Sequence, residues 1–140
     1  MNKGITTFFA FLLALGVFAQ NNGVSNADLV KGVYKGIYKS KSMPHSIIDY
    51  RIEVQAQNDS TIEIIALLPN QTKSFSAVLY STDNEQDENG NPIRLDIKSP
   101  TGIFDRTGYF YPASGMIHYS YQGGNPTDPA NFEIFTGEKE

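Results

Sequence analysis

Cysteine is absent from this 140-residue chain. Its absence excludes disulfides, thiolate metal sites and cysteine nucleophiles, and it also excludes a lipid-modified cysteine after an export signal. Histidine is scarce, since the sequence has only His45 and His118. Neither has neighbours at the spacing of a metal site or of a serine-based triad. The sequence therefore predicts no cofactor and no enzymatic activity.

Positive charge is also in short supply. The chain has 11 lysines and arginines against 15 aspartates and glutamates, and its formal net charge is -4. This balance argues against nucleic acid as a partner. Lys31, Lys35, Lys39 and Lys41 form one basic cluster, which we interpret as a solvated strand face that discourages edge pairing. The alternative is a site for an anionic ligand or a lipid surface.

The longest apolar run lies at the N-terminus. It extends from Ile5 to Phe18, follows Lys3 and closes with Val17-Phe18-Ala19, which is the layout of a secretory signal peptide. The run is short for a bilayer core of about 30 Å, which needs about 20 helical residues. We predict a signal peptide over residues 1–19, removed on export to the periplasm or the medium, with no membrane anchor afterwards. The alternative is an uncleaved N-terminal anchor.

Alternating apolar and polar residues dominate the remaining sequence. Residues 48–57 alternate for ten positions, and the alternation resumes after the polar turn Asn58-Asp59-Ser60 and continues to Leu68. A period of two is typical of half-buried strands, so the two runs predict a long antiparallel hairpin. Residues 20–31 are interpreted as a lead-in with one helical turn, capped by Asn26 or Asp28.

Eight such segments predict an all-β domain over residues 32–138. Short connections favour an eight-stranded antiparallel up-and-down meander that closes into a small barrel, with a two-sheet sandwich as the alternative. Gly36, in the middle of the first strand, predicts a sharp bend or the close approach of another backbone. The alternation predicts that the following residues face inward: Ile48, Tyr50, Ile52, Val54, Ile62, Ile64, Leu95, Ile97, Ile117, Tyr119, Phe132 and Ile134.

Two segments resemble a known superfamily. Gly32-Val33-Tyr34-Lys35-Gly36-Ile37-Tyr38, which opens the meander, resembles the first strand of lipocalins and other calycins, with tyrosine where tryptophan usually stands. Residues 109–121 are similar to the penultimate hairpin of small secreted bacterial lipocalin-like domains. The resemblance implies a barrel that binds a small apolar or amphipathic ligand.

Aromatic residues supply candidate lining for such a site, because barrel mouths are common pockets and tyrosine offers both a ring and a hydroxyl. The candidates are Tyr34, Tyr38, Tyr109, Phe110, Tyr119 and Tyr121. The alternative is that these rings fill the interior of a structural protein of the cell envelope, whose partner is another protein or a glycan. An enclosed pocket of roughly 300 Å³ or more would favour the ligand.

An acidic loop follows the fourth strand. Glu85, Asp87, Asn89 and Asp96 fall at the first, third, fifth and twelfth positions of a calcium-loop pattern. We interpret the segment as an acidic hairpin loop with Asn-Gly at its tip, and calcium binding is the alternative. Asp105 and Arg106 form one further ionisable pair, placed within an aromatic strand.

Overall fold

The computed structural model describes residues 23–41, 43, 45–68, 71–81, 85–101, 106–122 and 132–140. The predicted signal peptide and Asp105 lie outside these residues. The described elements, in chain order, are α1 (Asn26–Val30), β1 (Gly32–Ser40), β2 (Ile47–Ala56), β3 (Thr61–Leu68), β4 (Gln71–Ser81), β5 (Leu95–Lys98), β6 (Arg106–Tyr111), β7 (Met116–Gln122) and β8 (Phe132–Lys139).

Each strand pairs with the next in antiparallel fashion, and β8 pairs with β1, so the sheet closes on itself. The predicted eight-stranded up-and-down barrel is confirmed, and the sandwich alternative is wrong. Closure pairs every strand on both sides, which removes exposed sheet edges. At eight strands a barrel interior is just wide enough for side chains or one small ligand.

Apolar side chains from all eight strands fill the interior. The alternation identified most of them correctly, because a closed sheet has one inner face and each strand presents every second residue to it. Nine of the twelve residues predicted to face inward are buried: Tyr50, Ile52, Val54, Ile62, Ile64, Leu95, Ile97, Ile117 and Tyr119. Phe75, Ala77, Leu79 and Phe135 are buried with them.

Ile48 is one exception. It is 72% exposed, so its predicted inward orientation is wrong. The pairing of β1 with β2 passes from Gly36↔Tyr50 to Tyr38↔Ile47, which leaves one extra residue on β2. Asp49, at this bulge, has φ 61°, a left-handed conformation that aspartate tolerates better than most residues. Because the extra residue inverts the alternation, Ile47 packs on the core and Ile48 faces solvent.

Strand β8 shows a second departure. Phe135 is 2% exposed and lies opposite Tyr38 and Tyr119, whereas Ile134 is only half-buried. The prediction of Ile134 as a core residue is therefore wrong, and the side chain of Phe132 lies outside what the structure describes. The inner face of β8 also carries Glu133, so hydropathy alone favours the wrong face of this strand.

Gly36 confirms the predicted backbone approach. A Cβ atom at this position would lie 2.1 Å from the carbonyl oxygen of Thr136 and 2.4 Å from the Cα of Gly137. Real Cβ atoms do not come so close to backbone atoms, so any side chain here would force β1 and β8 apart.

The two ends of the barrel differ. We call the end covered by α1 the closed end. There Ala27 and Val30 are fully buried, and the Tyr34 hydroxyl donates to the carbonyl oxygen of Val30. The Ala27 N–H donates to the Asp59 carbonyl at 3.1 Å. Ser25 caps the helix by accepting from the Asp28 N–H, so the predicted caps, Asn26 and Asp28, are wrong.

The opposite end is the open end, where β1, β3, β5 and β7 finish and the strands that follow them begin. Among the described residues, no helix has the length and hydropathy that a membrane span requires.

Candidate functional site

The six candidate lining residues do not share one site. Tyr34 and Phe110 belong to the closed end, where they are 0% and 1% exposed. Their rings meet edge to face, with centroids 6.1 Å apart and planes at 88°. Because both are enclosed by neighbouring side chains, they belong to the packed interior of the closed end.

Tyr109 lies on the outside of the barrel, away from the interior that Phe110 faces. Its ring stacks on that of His118, with centroids 5.0 Å apart, and meets Tyr111 at 5.4 Å. His118 Nδ1 is 2.8 Å from Thr136 Oγ1, and burial lowers the pKa of the imidazole. Phe110 occupies the inner face of β6, and consecutive strand residues face opposite sides.

The three remaining candidates gather at the open end. Tyr38 and Tyr119 are each 5% exposed, and Tyr121 packs against the core from a half-buried position. Tyr50 and Phe75 join them, although neither was predicted from the sequence to belong to a site. The rings of Tyr38 and Tyr50 are stacked, with centroids 4.6 Å apart and planes at 24°. The ring centroids of Phe75 and Tyr121 are 4.5 Å apart.

A small cavity lies among these rings. Its volume is about 20 Å³, which is room for one water molecule, and it is partly open to solvent. The space free of protein atoms grows to about 280 Å³ when the adjoining open region is included. The enclosed part of this cavity is therefore far smaller than the roughly 300 Å³ that a drug-sized ligand needs. We call this cavity and its opening the mouth pocket, and its lining residues are Tyr38, Tyr50, Ile52, Ile64, Ala66, Phe75, Tyr119, Glu133, Ile134 and Phe135.

The mouth pocket contains a few polar groups within apolar walls. The hydroxyl of Tyr50 is buried and has no hydrogen-bond partner among the described residues. Tyr38 forms side-chain hydrogen bonds with Glu133 and Ser40, and burial together with the Glu133 charge raises its pKa to about 12. Burial also raises the pKa of Tyr50 to about 12, with smaller contributions from Tyr38 and Glu133. Both phenols are therefore neutral at neutral pH.

The acidic loop forms a compact turn. Asp87 Oδ1 accepts from the backbone N–H groups of Asn91 at 2.8 Å and Asn89 at 2.9 Å. The hydrogen bond from Asn91 is the main reason that the pKa of Asp87 lies below its usual range, and the bond from Asn89 contributes less. Asp96 Oδ1 lies 3.1 Å from Arg94 Nε. In the part of the chain that the structure describes, no three histidine, cysteine or acidic side chains converge as a metal site would require.

The basic cluster lies on the outer surface. Lys31 pairs with Asp28 at 2.5 Å, and Lys35 pairs with Asp49 at 3.0 Å. Lys39 and Lys41 are exposed. Exposed pairs of this kind contribute little to stability. None of its four lysines is among the described lining residues of the mouth pocket.

Comparison of the chain with protein-family models, curated proteins and solved structures returned no match. What the structure shares with lipocalins is the eight-stranded antiparallel barrel.

Proposed function

We propose that this chain is an exported, lipocalin-like binding protein and that its ligand site is the mouth pocket. The ligand is a small apolar or amphipathic molecule that places one group among the rings at the open end. The rest of the molecule lies in the wider opening, because the enclosed volume of about 20 Å³ accommodates a single small group.

The observation that carries this proposal is the unpartnered hydroxyl of Tyr50. Tyr50 is 5% exposed, and its Oη has no hydrogen-bond partner within the described structure. A buried hydroxyl left without a partner costs about 1–3 kcal/mol. Such a group is expected where a bound molecule completes the hydrogen bond, and this one lines a cavity that communicates with solvent.

Binding can be tested with a series of eight-carbon amphiphiles, namely octanol, octanoate and octylamine, each below its aggregation concentration. We expect at least one of them to raise the melting temperature and to perturb the near-ultraviolet signal of the tyrosines. If none of the three changes either signal, the proposal fails.

A matched pair of variants localises the site. Ala66 lines the cavity, whereas Ala56 is exposed at the end of β2 nearest the closed end. Ala66→Val adds two methyl groups to the space of about 20 Å³ and should abolish binding. Ala56→Val should bind like the parent protein. Circular dichroism of both variants verifies that the barrel is intact.

Export rests on the N-terminal sequence. N-terminal sequencing of secreted or periplasmic material should find a chain that begins at about Gln20. Recovery of the full-length chain exclusively in membranes would contradict export.

A second function is supported by the filled core. If the cavity of about 20 Å³ holds one water that pairs with Tyr50, the barrel needs no ligand. The protein would then be a structural element of the cell envelope that contacts another protein or a glycan through its surface. In that case the amphiphile series gives no response and the Ala66→Val variant is indistinguishable from its control.

A further inference from the structure

We propose that the mouth pocket selects neutral aliphatic molecules that end in a single oxygen atom, and that this oxygen accepts a hydrogen bond from the Tyr50 hydroxyl. The inference rests on the binding function proposed above and names the chemical class of its ligand. Primary alcohols and aldehydes belong to this class, whereas fatty acids and alkylamines do not.

Two stacked tyrosines of the mouth pocket differ in how their hydroxyls are bonded. Tyr38 forms side-chain hydrogen bonds with Glu133 and Ser40. The hydroxyl of Tyr50, a residue that is 5% exposed, has no hydrogen-bond partner among the described residues. A tyrosine hydroxyl has one O–H donor. Its oxygen is a weak acceptor, because the ring draws electron density from it. The ligand atom that best completes this site is therefore an acceptor.

The surroundings of Tyr50 disfavour charge. Ile52, Ile64 and Ala66 provide aliphatic walls. Burial is the main reason that the pKa of Tyr50 is raised to about 12, so a negatively charged oxygen is poorly solvated at this position. A ligand carboxylate in contact with Tyr50 would meet the same penalty, and the charge of Glu133 acts in the same direction.

An ammonium group is a poor match for a different reason. It has three N–H donors and no acceptor, so it cannot receive the hydrogen bond that Tyr50 offers. Leaving water for the aliphatic walls also costs free energy for a cation, as it does for any charged group.

The enclosed space sets the size of the end group. About 20 Å³ holds one water molecule, and therefore one hydroxyl or carbonyl oxygen, but not both oxygens of a carboxylate. The chain of the ligand extends into the wider opening, where the space including the cavity reaches about 280 Å³. The ligand oxygen thus takes the position that a water molecule can occupy, and the chain covers the apolar walls.

Isothermal titration calorimetry at neutral pH with octanol, octanoate and octylamine tests this selectivity. We expect octanol to bind at least about tenfold more tightly than octanoate. The rise in the pKa of Tyr50 from 10.0 to about 12 corresponds to a factor of about one hundred against negative charge on its own oxygen, and the ligand oxygen lies one hydrogen bond farther away. Octylamine should also bind more weakly than octanol.

Two tyrosines provide the matched variants. Tyr50→Phe keeps the ring and removes the hydroxyl, so it should weaken octanol binding about threefold to tenfold, the range of one neutral hydrogen bond. The loss for octylamine should be smaller, because an ammonium does not accept from the hydroxyl. Tyr80 is 47% exposed and follows the buried Leu79, so Tyr80→Phe should leave all three affinities unchanged.

The outcomes separate this inference from the binding function. If octanoate or octylamine binds as tightly as octanol, or if Tyr50→Phe leaves octanol binding unchanged, the selectivity is wrong and the binding function stands. An equal loss of octanol and octylamine affinity in Tyr50→Phe would show that the hydroxyl does not act as a donor, which also overturns the inference. If no probe binds, both proposals fail together.

Discussion

Tyr34 and Tyr50 occupy opposite ends of one barrel, and both are almost completely buried. At the closed end the Tyr34 hydroxyl donates to the Val30 carbonyl, so a polar group of α1 and a polar group of the barrel satisfy each other. At the open end the Tyr50 hydroxyl has no such partner among the described residues. A buried tyrosine therefore holds α1 to the barrel at the closed end, whereas at the open end a buried tyrosine lines the mouth pocket.

The covering of the closed end comes from α1. Residues just before β1 fold into α1, which places Val30 over the interior and is held to the barrel by Lys139 Nζ, 3.0 Å from the Leu29 carbonyl. The described residues at the open end include no equivalent helix. The closed end is therefore expected to determine stability and the open end to determine binding.

The largest expected effect comes from truncating one phenylalanine at each end. Phe110→Ala should lower the free energy of unfolding by about 3–5 kcal/mol, because it leaves an enclosed void beside Tyr34. Phe75→Ala, at the edge of the existing cavity, should cost at least about 1 kcal/mol less since water can enter the space. Urea denaturation measures both, and equal losses would contradict the distinction between the ends.

Removing one hydroxyl from each end gives a smaller effect. Tyr34→Phe leaves the Val30 carbonyl without its donor and should cost about 1–3 kcal/mol. Tyr50→Phe removes a hydroxyl without a partner and should be neutral or stabilising. Thermal and chemical denaturation of the two variants would refute this account if Tyr50→Phe proved the more damaging.

Alkaline pH should lower the free energy of unfolding, because buried tyrosines at both ends of the barrel ionise. Burial raises the pKa of Tyr38 and Tyr50 to about 12, and it also raises that of Tyr34. Because the folded-state pKa values exceed the value of about 10 for free tyrosine, their contribution to stability is complete below about pH 10 and is lost as the pH rises toward 12. The loss at about pH 11 should be on the order of 1 kcal/mol for each tyrosine.

Denaturation curves recorded from about pH 8 to pH 11 measure this loss, and phenolate absorbance follows the ionisation itself. The variants Tyr34→Phe and Tyr50→Phe should each flatten the pH dependence. A stability that stays constant through this range would show that the buried phenols ionise as they do in the unfolded chain.

The smallest effect is expected at the helix cap. Ser25 Oγ accepts from the Asp28 N–H at 3.1 Å, so Ser25→Ala should cost about 0.5–1 kcal/mol. Hydrogen exchange should accelerate within α1 and stay unchanged in β2 near Tyr50. Faster exchange at both ends alike would indicate that the ends are coupled and not separate.

Local alternation was sufficient to predict the closed barrel and most of its core, because each strand carries its own inner and outer faces. It failed at Ile48, since the bulge at Asp49 depends on the pairing of β2 with β1. It also failed in β8, because the inner face of this strand carries Glu133 and Gly137 and is therefore less apolar than the outer face. The bulge in β2 and the orientation of β8 depend on pairing with neighbouring strands, so the sequence of one strand alone does not predict them.

The six candidate residues divide between the two ends and the outside of the barrel. Tyr38, Tyr119 and Tyr121 do gather at the open end, whereas Tyr109 and Phe110 are neighbours in sequence and for that reason cannot share one face of a strand. That contradiction was visible in the sequence. The unpartnered hydroxyl of Tyr50 was not, because hydrogen bonding of a buried group depends on which residues surround it in three dimensions.

Amide chemical-shift mapping during titration with the eight-carbon probe that binds most tightly tests whether binding is confined to the open end. We expect progressive shifts at Tyr38, Tyr50 and Glu133, with Val30, Tyr34 and Phe110 unmoved. Shifts centred on α1 and the closed end, or an unchanged spectrum at a saturating concentration of that probe, would contradict this.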